Sequence, residues 1–86
     1  MPIISRFFGI LVRMFFNEHA PPHFHAEYGS YRVVIDIRKL EVIEGKFPRR
    51  ALNLVLDWAE LHQDELLENW ERCQTHQQPV EIPPLE

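Results

Sequence analysis

The chain of 86 residues is 45% hydrophobic, carries a formal net charge of −4 and contains one cysteine, Cys73. This composition predicts one domain without an intrachain disulfide, and the acidic balance argues against a general nucleic-acid binder, which would normally be basic. No apolar run reaches the ~20 residues that span a membrane and no secretory signal pattern is present, so we expect a soluble cytoplasmic protein without a DNA-binding signature.

The first half of the chain, residues 1–45, is rich in strand-forming residues. Residues 7–16 are aromatic and β-branched with apolar groups on both faces, which predicts one central strand. Residues 23–28 and 31–37 alternate about Gly29-Ser30, a pair that suits a type II′ hairpin turn. With a further strand over residues 40–43, we predict an antiparallel sheet of three or four strands.

The Gly29-Ser30 turn also predicts the register of this hairpin, because a slip of one residue would exchange its apolar and polar faces. The predicted pairs are Tyr28 with Tyr31, Ala26 with Val33 and Phe24 with Ile35 on the apolar face, and Glu27 with Arg32, His25 with Val34 and His23 with Asp36 on the polar face.

The second half predicts one long helix over residues 46–76, with Pro48 in its first turn, followed by an extended tail over residues 77–86. About 27 helical residues span about 40 Å, whereas a compact domain of this size is roughly 30 Å across. The helix must therefore kink, overhang or pack against another chain. We expect an edge strand in the tail through Val80 and Ile82, Cys73 in the core stripe of the helix, and His62 at its border.

The sequence HAPPHFHAEYG brings His19, His23 and His25 together. On a strand, His23 and His25 project to the same side about 7 Å apart at the backbone, so both can reach one divalent metal ion. Glu27 or Asp36 is the predicted oxygen ligand, and His19 can fold back as a further ligand.

Two other interpretations of this polar face stay open. It can be an ordinary solvated hairpin face with no cofactor. It can also serve metal-independent acid–base cleavage of RNA, in which Asp36 orients His23, His25 is the second acid–base group, and Arg32 or Arg13 stabilises the phosphate charge.

Two further surfaces are predicted around the helix. Up to Arg50 the chain has eight basic and five acidic residues, whereas after it there are one basic and eight acidic residues. An anion site is predicted at the start of the helix, where basic residues stand at the positive end of the helix dipole. The apolar positions outside the core stripe either widen the core face of the helix or form a patch that binds a small protein partner or a second copy. The anion-site residues are Lys46, Arg49 and Arg50, and the patch residues are Leu54, Trp58 and Leu61.

The stretches RFFGILVRMFFNEHAPPHFHAEYG and VIEGKFPRRALNLVLDWAELHQDELLENWE, with the closing IPPL, resemble a bacterial family known as domain of unknown function 4160. The resemblance extends from Ile4 to Leu85. It implies a small α+β protein encoded beside another small protein in a toxin–antitoxin-like pair, and it supplies no established activity, cofactor or catalytic residue.

From the residues, the leading hypothesis is a single α+β domain that acts as a non-enzymatic protein-interaction module. This hypothesis rests on the excess helix length and on the apolar positions outside the core stripe. The competing hypothesis is a histidine-dependent enzyme or metal protein that acts on RNA.

Overall fold

A computed structural model describes residues 2–86, which form one antiparallel sheet followed by two helices. The elements are β1 (Ile3–Phe7), β2 (Ile10–Arg13), β3 (His23–Tyr28), β4 (Tyr31–Asp36), β5 (Val42–Lys46), α1 (Arg49–Leu61) and α2 (Gln63–Gln74). The sheet order is β1-β2-β3-β4-β5. The α+β class is confirmed, with five strands and two helices instead of three or four strands and one helix. Neither helix within the described residues has the length and apolar character that crossing a membrane requires.

The predicted single strand over residues 7–16 is wrong, because the chain reverses near its start, at Phe8 and Gly9. Phe8 and Gly9 have φ values of 50° and 79°, and Phe7 pairs with Ile10 across the turn. Positive φ at both central residues is typical of a type I′ hairpin turn, for which Asn-Gly is the usual sequence. Phenylalanine in the first position concealed the turn within an apolar run.

The hairpin of β3 and β4 has the predicted register at all six pairs, from His23 opposite Asp36 to Tyr28 opposite Tyr31. Gly29 has a φ of 58°, as the first central residue of a type II′ turn requires. Phe24, Ala26, Val33 and Ile35 are buried against the helices. Strand alternation therefore directs His23 and His25 away from the core between sheet and helices, although the ring of His23, the first residue of β3, still lies 5.0 Å from that of Trp70 on α2.

The connection from β4 to β5 is longer than predicted. The carboxylate of Asp36 accepts hydrogen bonds from the backbone N–H groups of Arg38 (2.8 Å) and Lys39 (2.9 Å), and Leu40 has a φ of 54°. This turn occupies the first residues of the strand expected at 40–43, so β5 begins at Val42 and runs to Lys46.

The single helix predicted over residues 46–76 is also corrected, because the helix starts at Arg49, breaks at His62 and ends at Gln74. His62 leaves the helical conformation with φ −122° and ψ 27°, and its ring lies 5.6 Å from that of Trp58 between centroids. Beside the break, the side-chain amide of Gln63 donates to the carbonyl of Ile37 at 2.8 Å. The bend lets both helices cover one sheet within a molecule of 33 × 25 × 22 Å.

The core between sheet and helices contains Trp58, which was predicted to lie on a partner-binding patch. Trp58 is fully buried, its ring centroid lies 5.3 Å from that of Phe7, and its Nε1–H donates to the carbonyl of Pro83 at 2.8 Å. The predicted patch is therefore wrong for Trp58, and only Leu61, 70% exposed, is fully on the surface. Cys73 is buried as predicted, and this burial raises the pKa of its thiol.

The tail over residues 77–86 is extended, as predicted, but it forms no strand. Ile82 is buried and donates one backbone hydrogen bond to the carbonyl of Ile4 at 2.8 Å, at the outer edge of β1. The side chain of Asn69 accepts from the N–H of Val80 and donates to its carbonyl, both at 2.8 Å. These contacts hold the tail against α2 and β1, and the tail covers one edge of the sheet.

We predict that Asn69→Ala lowers the free energy of unfolding by about 1–3 kcal/mol, because the buried side chain makes both hydrogen bonds to Val80. Asn53→Ala, at an exposed position of α1, is the matched control and should change the value by less than about 0.5 kcal/mol. Urea denaturation followed by tryptophan fluorescence measures both variants. Equal effects of the two substitutions would contradict a structural role for the tail.

Candidate metal centre

The histidines of β3 are positioned by the packing of the residues between them. Phe24 and Ala26 are fully buried on the helix side, which leaves His23 and His25 next to each other on the other face of the sheet. Their ring centroids are 5.4 Å apart. The two imidazoles are therefore close together, as predicted, because they are two residues apart on one strand.

A third ligand comes from the loop before β3, where Glu18 folds back over the two rings. Its Oε1 lies 3.1 Å from Nε2 of His23 and 2.7 Å from Nε2 of His25. The potential ligand atoms of these three residues all lie within 4.8 Å of one another. Two imidazole nitrogens and one carboxylate oxygen thus converge on a volume the size of one ion.

The hydrogen bonds of His23 define which of its nitrogens is available. Nδ1 lies 2.8 Å from the carbonyl oxygen of Pro21, which can only accept, so Nδ1 carries the hydrogen. In the neutral ring Nε2 then presents a lone pair to the Glu18 oxygen 3.1 Å away. A hydrogen on Nε2, as in a charged imidazole paired with Glu18, or a cation coordinated by both groups would satisfy these two atoms. A backbone carbonyl on Nδ1 is also the usual orienting contact of a metal-binding histidine.

Aromatic contacts hold both rings in place. The ring of His23 lies 5.0 Å from that of Trp70, and the ring of His25 meets Phe15 edge to face at 4.4 Å between centroids. The His23 side chain is only 11% exposed, whereas that of Glu18 is 30% exposed. Packing therefore fixes the two histidine rings, whereas the Glu18 side chain remains accessible to solvent.

The three residues line a surface groove of about 290 Å³. His19, Val34, Ile43 and Glu44 also line this groove. A groove of this size admits water and small ligands to the converging nitrogens and oxygen. A metal ion bound here would keep coordination positions that the protein does not fill.

The residues predicted to supply the oxygen ligand have other partners. Oε2 of Glu27 lies 3.1 Å from Nε of Arg13, and the carboxylate of Asp36 is buried in its turn with Arg38 and Lys39. Glu18 takes the place predicted for them. The predicted apposition of His23 and Asp36 holds for the backbone, but the carboxylate that contacts His23 is that of Glu18.

The other predicted site residues do not form one site. Arg32 is exposed opposite Glu27 and lines a second groove that also reaches His25. Arg49 and Arg50 lie at the mouth of an apolar groove near Leu54, whereas Lys46 lies opposite Arg32 on β5. His62 contacts Trp58 and hydrogen-bonds to Glu65, in agreement with the predicted border position.

Comparison with known proteins gives one finding about this chain. Residues 9–71 match the family model described as Domain of unknown function (DUF4160). No curated protein and no solved structure matches the chain. The matched region contains Glu18, His23 and His25 and most of the sheet and helices. Because the match covers most of its length, the chain belongs to the DUF4160 family of domains of unknown function.

Proposed function

We propose that the protein binds one divalent transition-metal ion through Glu18, His23 and His25. The observation that carries the proposal is the convergence of two Nε2 atoms on one carboxylate oxygen, together with the contact of His23 Nδ1 with the carbonyl oxygen of Pro21. Ligand atoms on a tetrahedral ion with bonds of about 2.0–2.1 Å are about 3.3 Å apart. The 2.7 and 3.1 Å separations are shorter than that spacing, and all ligand atoms of the three residues lie within 4.8 Å of one another, so Glu18 must move away from the two nitrogens by a fraction of an ångström to admit an ion.

The ligand types narrow the choice of metal. Imidazole and carboxylate together suit Zn²⁺ and Fe²⁺, and two histidines with one carboxylate occur in catalytic zinc sites and in non-haem iron sites. Mg²⁺ and Ca²⁺ prefer sets made of oxygen alone. We therefore expect Zn²⁺ or Fe²⁺ to bind more tightly than Mg²⁺.

The reaction class that this site favours is metal-assisted hydrolysis. A Zn²⁺ ion held by three protein ligands lowers the pKa of its bound water to about 7, which supplies a nucleophile at neutral pH. The neighbouring groove with Arg32 offers a cation for a phosphate near His25. Phosphodiester hydrolysis of RNA is therefore the activity we propose to test first.

We predict that protein stripped of metal by a chelator binds one Zn²⁺ per chain in a calorimetric titration. Glu18→Gln and His25→Ala each remove one ligand and should weaken binding at least about 100-fold. Glu27→Gln and Glu60→Gln are the matched controls, since Glu27 pairs with Arg13 and Glu60 is exposed on α1. Both controls should bind Zn²⁺ like the unmodified chain.

Stoichiometric binding that is lost in Glu27→Gln and retained in Glu18→Gln would contradict the proposed ligand set. Binding should also weaken at acid pH, because histidine must be deprotonated to coordinate and metal binding releases protons. Affinity that is independent of pH would indicate a site made of other groups.

We predict that any RNA cleavage by the protein requires the metal. Cleavage of a fluorescent RNA oligonucleotide should disappear with EDTA, return with added Zn²⁺ or Fe²⁺, and be lost in His23→Ala. Cleavage that continues in EDTA at the same rate would instead support the metal-independent acid–base mechanism with the same histidines.

A further inference from the structure

A third groove, of about 580 Å³, lies where the β1–β2 turn meets the β3–β4 hairpin and the start of α1. Its lining includes Phe8, Tyr28 and Leu54, and it shares no residue with the groove of the metal centre. Grooves of about 300–1,000 Å³ with apolar walls are typical binding sites. An inference drawn from this groove is therefore independent of the proposed metal site.

Phe8 is the least expected residue in the groove. It has a φ of 50°, a left-handed conformation that bulky side chains rarely adopt, and its side chain is 59% exposed. At this turn position asparagine or glycine would remove the backbone strain and the exposed aromatic surface together. Strain of this kind is concentrated at functional sites, where the side chain is needed for contacts with another molecule.

The other residues that line the groove are held by contacts with neighbouring elements. A Cβ atom added to Gly9 would lie 3.3 Å from Cε1 of Tyr28, so the turn and the tyrosine ring are in close contact. The Tyr28 ring is also 6.2 Å from that of Phe47. Ala51 and Leu54 close the groove from α1. An apolar side chain could enter here without rearrangement of the backbone.

The mouth of the groove is basic. Arg49 and Arg50 are exposed in the first turn of α1, which contains no acidic residue. Within residues 2–86, neither guanidinium is within ion-pair distance of an acidic side chain. Two uncompensated positive charges beside an apolar groove favour a ligand that is apolar in one part and acidic in the next.

We propose that this groove binds a segment of a partner protein in which apolar side chains are flanked by aspartate or glutamate. The apolar side chains enter between Phe8, Tyr28 and Leu54, and the acidic ones contact Arg49 and Arg50. The chain's own tail is not the occupant, because Val80 and Ile82 are bound to Asn69 and Ile4. A second copy, through its acidic second half, is the alternative that the experiment must separate.

The test is selection from a displayed library of random 12-residue peptides against the full chain. Enriched peptides should combine leucine or aromatic residues with aspartate or glutamate. Phe8→Asn should raise their Kd at least tenfold while the protein stays folded and keeps its Zn²⁺ affinity, because asparagine accepts the turn conformation. Phe16→Asn, at an exposed aromatic outside the groove, is the matched control and should leave the Kd unchanged.

Arg49→Glu combined with Arg50→Glu should raise the Kd at least tenfold for acidic peptides, with a smaller effect at high salt. The peptide experiment overturns the proposal if no peptides are enriched, if basic peptides are enriched, or if the Phe8→Asn variant binds equally well. Sedimentation that shows a dimer dissociated by Phe8→Asn would overturn it in favour of a second copy. Loss of Zn²⁺ binding in the ligand variants alone bears only on the metal centre.

Discussion

The strict alternation of side chains along β3 is the constraint on which both the fold and the candidate site depend. Phe24 and Ala26 enter the core under the helices, so His23 and His25 must lie together on the other face. The turn at Gly29 maintains this register against β4. A slip of one residue would bury both imidazoles under the helices and expose Phe24, at the cost of the core and the site together.

Local patterns in the sequence predict the parts of this fold that depend on neighbouring residues. The β3–β4 hairpin follows from period-two alternation and a glycine at the turn, and all six of its pairs are as predicted. The turn at Phe8 was missed because phenylalanine carries no turn signal. The position of the break at His62 is not predicted, since neither proline nor glycine marks it, although the excess length of a single helix already required a kink, an overhang or packing against another chain.

The candidate site likewise combines residues that the sequence predicts with one that it does not. His23 and His25 could be paired from their spacing on a strand, whereas Glu18 lies in a loop whose path back over the sheet no periodicity describes. Helical geometry alone leaves Trp58 between a widened core face and a surface patch, because it does not reveal that the tail reaches the indole at Pro83. Contacts made by loops and tails cannot be predicted from sequence periodicity, because tertiary packing determines them.

The most direct test of the account is the coordination of the bound metal. X-ray absorption of the Zn²⁺-loaded protein should show two imidazole nitrogens and oxygen ligands at about 2.0–2.2 Å. Anomalous diffraction from the same complex should place the ion between Glu18, His23 and His25. An ion found at Glu27 or Asp36, or scattering from oxygen ligands alone, would contradict the central claim that these three side chains form the metal centre.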